Sequence, residues 1–143
     1  MPQGIIVTGI QAIDRKLRRL EPKVQKKVLR QSMRSGLKLV QEEMKVQVPV
    51  DSGLTQKNIK VRALKRRKHG VIGMEVRVAS APGLIKKGAG DRPFFYPAGI
   101  EYGDSEHQPN PFGRRSYSAK GDAARDKTMT DMRSGVEREA RSG

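Results

Sequence analysis

The chain has 143 residues, with 30 Lys plus Arg against 15 Asp plus Glu, and contains neither Cys nor Trp. Its length suits one domain of ordinary size, since domains cluster near about 100 to 150 residues. Without Cys there is no disulfide framework, no thiolate metal site and no cysteine nucleophile, and no window approaches the roughly 18 apolar residues of a membrane-spanning helix.

Leu, Ile, Val and Phe make up about 22% of the chain, just above the level of about 20% below which highly charged chains are usually disordered. The core is therefore expected to be thin. A net charge of +15 opposes self-association unless something anionic or a well-matched neighbour offsets it. The excess is +13 over residues 1–80 and +2 over residues 81–143, so one surface is expected to meet a polyanion or an acidic protein. The first residues lack a basic stretch followed by an apolar run, so a soluble chain without a targeting segment is expected, with residues 1–8 as a flexible arm.

Ile10, Ile13, Leu17 and Leu20 recur at helical spacing and predict a short basic helix that Pro22 punctuates. Pro22 can open a second helix at its first turn, where a missing N–H costs nothing. Val24, Val28, Leu29, Met33, Leu37, Val40 and Met44 carry that helix on until Pro49 forbids propagation. Its other face bears Lys23, Lys26, Lys27, Arg30, Arg34 and Lys38. Beyond the turn signal Asp51, Ser52 and Gly53 the period changes to two. Ile59, Val61 and Ala63, then Met74, Val76 and Val78, alternate with charged residues and predict an antiparallel hairpin. Lys65, Arg66, Arg67, Lys68 and His69, ending at Gly70, form its expected tip.

Residues 80–97 show no sustained period and are expected to be one long loop, functional or mobile. Ala98, Ile100 and Tyr102 predict a third strand ended by Gly103. A last helix is expected to begin near Asp122 as N-cap, with Met129, Met132, Val136 and Ala140 at helical spacing. All six aromatics fall between Phe94 and Tyr117, so that window gathers core or sits at an interface. The predicted fold is α+β: a long N-terminal helix and a C-terminal helix packed on a small, mostly antiparallel sheet with a long loop, in a single domain over residues 1–143.

The residues offer little reactive chemistry. His69 and His107 are not at the two-His spacing of a helical zinc site. Asp104, Glu106 and His107 form the one local group of metal-ligand types, but further ligands would have to come from elsewhere. Gly88 and Gly90 do not satisfy a nucleotide-binding spacing, and Ser52 and Ser80 have no base that sequence identifies. No enzyme activity, cofactor or metal is expected.

Two motifs stand in order along the chain. The first is Pro49, Asp51, Ser52, Gly53 and Leu54, after a long amphipathic helix and before a strand. The second runs from Tyr96 through Glu101, Tyr102 and Gly103 to Pro111 and Phe112, ahead of the last helix. Together they resemble the tail-component family of long-tailed bacteriophages, whose members include tail-completion and head-to-tail joining proteins. The resemblance covers about residues 9–140. It implies a structural virion protein of the neck, assembled in the host cytoplasm as a ring of six copies at the head-proximal end of the tail, around the DNA channel. Its implied partners are copies of itself, adjacent neck and tail-tube or tail-terminator proteins, and the genomic DNA passing through, without sequence specificity; no membrane is implied.

Under that reading Lys65, Arg66, Arg67 and Lys68 are candidate contacts with DNA or a neighbouring ring, and Leu84, Ile85, Lys86 and Lys87 a candidate assembly loop. Gly53 and Gly103 are expected to supply positive φ in turns. Glu101 is open to three roles: exposed on a polar face, capping a neighbouring element, or pairing with an Arg across an interface. The alternatives are a tail-terminator or head-closure ring protein and, from a different class, a basic nucleic-acid binding module, which would have to act without a recognisable reading helix, zinc motif or RNA-binding signature.

Overall fold

The computed structural model describes residues 3–4, 11–49, 53–64, 72–87, 93–104 and 108–142. In chain order its elements are β1 (Gln3–Gly4), α1 (Gln11–Arg18), α2 (Pro22–Gln47), α3 (Leu54–Lys57), β2 (Ile59–Ala63), β3 (Met74–Val78), β4 (Ile85–Lys87), β5 (Pro93–Phe95), α4 (Tyr96–Tyr102) and α5 (Phe112–Ser142). The architecture is α+β, with the two long helices packed on a small antiparallel sheet.

α2 starts and stops where its prolines dictate. Pro22 sits in its first turn, and Val48 is extended at φ −67 and ψ 135, the conformation imposed on a residue that precedes proline. Gly53 then takes φ 76, a left-handed turn that Cβ-bearing residues rarely adopt, and starts α3. Gln56 Nε2 donates to Lys45 O at 2.7 Å and ties this turn back to α2.

β2 and β3 pair antiparallel with Val61 opposite Val76, and β1 joins the other edge of β3 with Gln3 opposite Val76. The sheet order is therefore β1-β3-β2, and Gln3–Gly4, within the stretch expected as a free arm, belong to it. Period-two alternation puts Ile59, Val61, Met74 and Val76 on the face towards α2. There they join Met33, Leu37, Val40, Met44, Val48 and Phe112 in the main core. A second cluster, Ile13, Val28, Met132 and Val136, fastens α1 to the far end of the helix pair. Glu75, on the sheet's other face, is buried between Arg62 at 3.3 Å and Arg77 at 3.6 Å.

α2 and α5 run antiparallel. Val28 meets Gly135, Gly36 meets Ala124 and Thr128, and Gln47 meets Arg115. The approach is closest at Gly36, where a Cβ would run into Thr128 Oγ1 and the Ala124 carbonyl. The buried face of α5 is correspondingly small: Gly113, Ser116, Gly121, Ala124, Thr128 and Gly135 alternate with few large apolar side chains. Ser116 and Thr128 return their hydroxyls to the carbonyls of Phe112 and Ala124, at 2.6 and 2.8 Å, so both bury without an orphaned polar group.

Three expectations are corrected. α5 begins at Phe112, ten residues before Asp122, because small residues rather than an apolar stripe mark its first turns, and hydrophobic periodicity does not register them. Residues 96–102 form α4 and not a strand: Pro97 and Glu101 are the buried pair, four apart, while Tyr102 is 56% exposed, so the apparent alternation of Ala98, Ile100 and Tyr102 coincides with a helical turn. Residues 80–97 are not structureless, since Ile85–Lys87 and Pro93–Phe95 pair as a two-stranded antiparallel ribbon that leads directly into α4.

Candidate functional site

The residues of the second motif converge where α4 hands the chain to α5. Pro111 precedes the first helical position and has no side-chain acceptor for the orphan donors of the first turn. Glu101 supplies it from α4. Its carboxylate is 4% exposed and accepts the Gly113 N–H at 2.9 Å (Oε2) and the Arg114 N–H at 3.2 Å (Oε1). A buried negative charge thus lies at the positive end of a 31-residue helix, where the backbone dipole favours it. Of the three roles open to Glu101, this chain uses the cap.

Further bonds fix the joint. Asn110 N–H donates to Ile100 O at 2.8 Å, and Arg115 donates to Asn110 Oδ1 at 2.5 Å and to Gln47 Oε1 at 2.9 Å. Phe112, 2% exposed, fills the core beside Met44. Gly103 ends α4 at φ 79. A groove of 190 Å³ opens beside the joint, lined by Met44, Val78, Phe95, Pro97, Tyr102 and Phe112 among others.

The ribbon β4–β5 stands next to α4. Leu84, in the candidate assembly loop, is 1% exposed and its carbonyl accepts the Tyr96 N–H at 2.8 Å, so it anchors the ribbon from inside. Ile85, Lys86 and Lys87 project outward, and the Lys86 ammonium lies 4.2 Å from the centroid of the Tyr96 ring. Phe94 rests on α4, with Cε2 3.8 Å from where a Gly99 Cβ would be, yet remains 37% exposed. Ile85 is 48% exposed. Ribbon and α4 therefore present three large apolar side chains, Ile85, Phe94 and Tyr102, to solvent.

The first motif lies apart from this joint. Pro49 is exposed, Gly53 makes the left-handed turn, and Leu54 packs its Cδ2 2.8 Å from the Cβ position of Gly83. Asp51 and Ser52 lie outside the described residues, as do Lys65, Arg66, Arg67 and Lys68 of the basic tip. Asp104 is described, whereas Glu106 and His107 are not. Among the described residues no three His, Asp or Glu side chains come together as a metal-holding group, and no helix is long and apolar enough to cross a membrane.

Sequence reasoning missed two devices. One is the edge of β2. The Leu64 N–H to Gly73 O and Ala79 N–H to Asn58 O bonds set the ladder so that the Ile59 and Val61 carbonyls point away from β3. Gln41 Nε2 reaches the first at 2.8 Å and Arg34 Nη1 the second at 3.3 Å, which blunts an edge that could otherwise pair with another strand. The other is the small-residue seam of α2 and α5. The only signal for the seam was the density of Gly, Ala, Ser and Thr between Gly113 and Gly135.

Compared with protein-family models, with curated proteins and with solved structures, the chain matches none.

Proposed function

We propose that this chain is a structural virion protein of a tailed phage. It forms a ring, by resemblance of six copies, at the head-proximal end of the tail, completing the tail and joining it to the head around the DNA channel. The observation that carries the reading is the apolar surface at the α4–α5 joint. Ile85, Phe94 and Tyr102 stay 37 to 56% exposed in an isolated chain, next to a groove that reaches Phe112 and Met44. The motif residues Glu101 and Phe112 meet at the joint beside this surface. A ring closes through heterologous contacts, in which one patch meets a different patch on the next copy.

The test has two parts. Imaging of virions labelled at the C-terminus is expected to place a ring of label between capsid and tail tube, whereas purified virions without this chain refute the reading. Label at the upper end of the tail tube alone marks a terminator, and label at the portal face a head-closure ring. Ile85→Asp with Tyr102→Asp is expected to leave the fold intact and to block the joining of tails to heads. Normal infectious particles from that variant remove the surface from the account.

A basic nucleic-acid binding module is the second reading, favoured by the exposed Lys and Arg face of α2. It predicts that affinity for DNA at physiological salt exceeds any tendency to assemble.

A further inference from the structure

The outer face of α2 carries a row of exposed cations, and nothing in the ring reading uses it. Lys23, Lys27, Arg30, Arg34 and Lys38 recur at intervals of four, three, four and four residues, so they form one ridge along the helix. Lys23, Lys27, Arg34 and Lys38 are exposed. Lys27 meets Glu139 at 3.6 Å, while among the described residues Lys23 and Lys38 are in no ion pair. Arg34, itself exposed, gives one N–H to the Val61 carbonyl at 3.3 Å. Arg30 holds its Nε out of water with no hydrogen-bond partner, so its donors are incompletely used within the chain.

A groove of 490 Å³ runs beside the ridge between α2 and α5. Its walls include Gln31, Ser35 and Lys38 from α2 and Ser134 and Arg138 from α5. Asp131, also on its wall, is paired with Lys127 at 3.1 Å. Cations, hydroxyls, one amide and one paired carboxylate thus line a channel beside the row of positive charge.

We infer that this ridge and groove seat the phosphate backbone of a DNA duplex, without reading its sequence. Three features choose this partner. From Lys23 to Lys38 the ridge is about 22 Å long at 1.5 Å per residue, and a duplex carries one phosphate charge per about 1.7 Å of its axis, so the five cations of the ridge can each meet a phosphate. No aromatic residue lies anywhere in α2, so the stacking platform that holds single strands is missing. The ridge also has no exposed apolar anchor between Lys23 and Lys38, whereas interfaces with proteins deplete charge at their centre and rely on such anchors. The inference takes from the ring reading only that DNA is close by, and the two fail separately: one by assembly and location, the other by the salt dependence of binding.

The experiment uses the full chain and a fluorescent 25-base-pair duplex, read by anisotropy between 50 and 200 mM salt. With four to five phosphates neutralised, log affinity is expected to fall against log salt with a slope of about −4, and equally for unrelated sequences. The triple variant Lys23→Gln, Lys27→Gln, Lys38→Gln is expected to reduce that slope by about 3, one for each phosphate that is no longer neutralised. The triple Lys57→Gln, Lys120→Gln, Arg133→Gln has the same net charge and is expected to keep it. Circular dichroism checks that both triples retain their helices. Equal weakening by the two triples reduces the effect to net charge and overturns the proposal. So does polyglutamate displacing the duplex more effectively than unlabelled duplex does, which assigns the ridge to an acidic protein.

Discussion

Replacing Glu101 by alanine removes both acceptors at the start of α5. The Gly113 and Arg114 N–H groups, at 2.9 and 3.2 Å from the carboxylate, are left facing a joint where Gly113 is buried. Hydrogen bonds to a charged group contribute about 1.5 to 3 kcal/mol each, and a buried donor stripped of its partner costs about 1 to 3 kcal/mol. Water can reach the exposed Arg114 side, so the two losses do not add in full, and about 3 kcal/mol is expected for Glu101→Ala. Glu101→Gln keeps one carbonyl acceptor and the shape of the side chain but loses the charge at the helix dipole, and is expected to cost about 1.5 kcal/mol. The assay is urea unfolding followed by circular dichroism at 222 nm. A parallel thermal scan should move by about 2 to 4 °C per kcal/mol for a chain of this size. Faster exchange of the Gly113 and Arg114 amides should accompany the loss. An alanine variant within about 0.5 kcal/mol of the parent, the range of an uninvolved surface position, refutes the cap. A glutamine variant as stable as the parent, with alanine still destabilised, shows that side-chain shape, not the charge of the carboxylate, holds the joint.

The glycines of the helix pair give a contrast of sign. Gly36→Ala places its Cβ against Ala124 O and Thr128 Oγ1, and should destabilise by about 2 kcal/mol, overpacking exceeding the gain of about 1 kcal/mol in helix propensity. Gly121→Ala meets the Tyr117 ring first, at an ordinary contact distance of 3.6 Å, and should stabilise by up to about 1 kcal/mol in the same urea titration. Leu37→Ala, at a position with no exposure, is expected to cost about 2 to 5 kcal/mol, with a molten near-ultraviolet spectrum as its extreme outcome. Gln41→Ala frees the Ile59 carbonyl. It should cost about 1 kcal/mol and, by opening the β2 edge, raise light scattering on storage relative to the parent.

Much of the first half was legible because its signals are local. Pro22 and Pro49 bound α2, the apolar stripe from Val24 to Met44 gives its buried face, and strict alternation gives β2 and β3 and their pairing. Gly53 and Gly103 take the positive φ that their turns require. The second half resisted for physical reasons. A seven-residue helix such as α4 is too short for a period of 3.6 to be told from a period of two, and its buried pair is Pro97 and Glu101, not an apolar stripe. The start of α5 carries no local cap, because its cap comes from eleven residues before Phe112 in another element.

Charge, the lack of cysteine, the amphipathic helix and the hairpin are properties of the residues in order, and the sequence determined them by itself. Tertiary structure alone decided which surfaces are free. Leu84 turned inward while Ile85 stayed out, the seam of Gly36 and Thr128 brought two helices close enough to exclude large side chains, and Glu101 became a cap. Each of these depends on the meeting of segments that are separate in the chain. Burial and hydrogen bonding are set by the neighbour that arrives, and periodicity describes only the side of an element on which that neighbour is awaited.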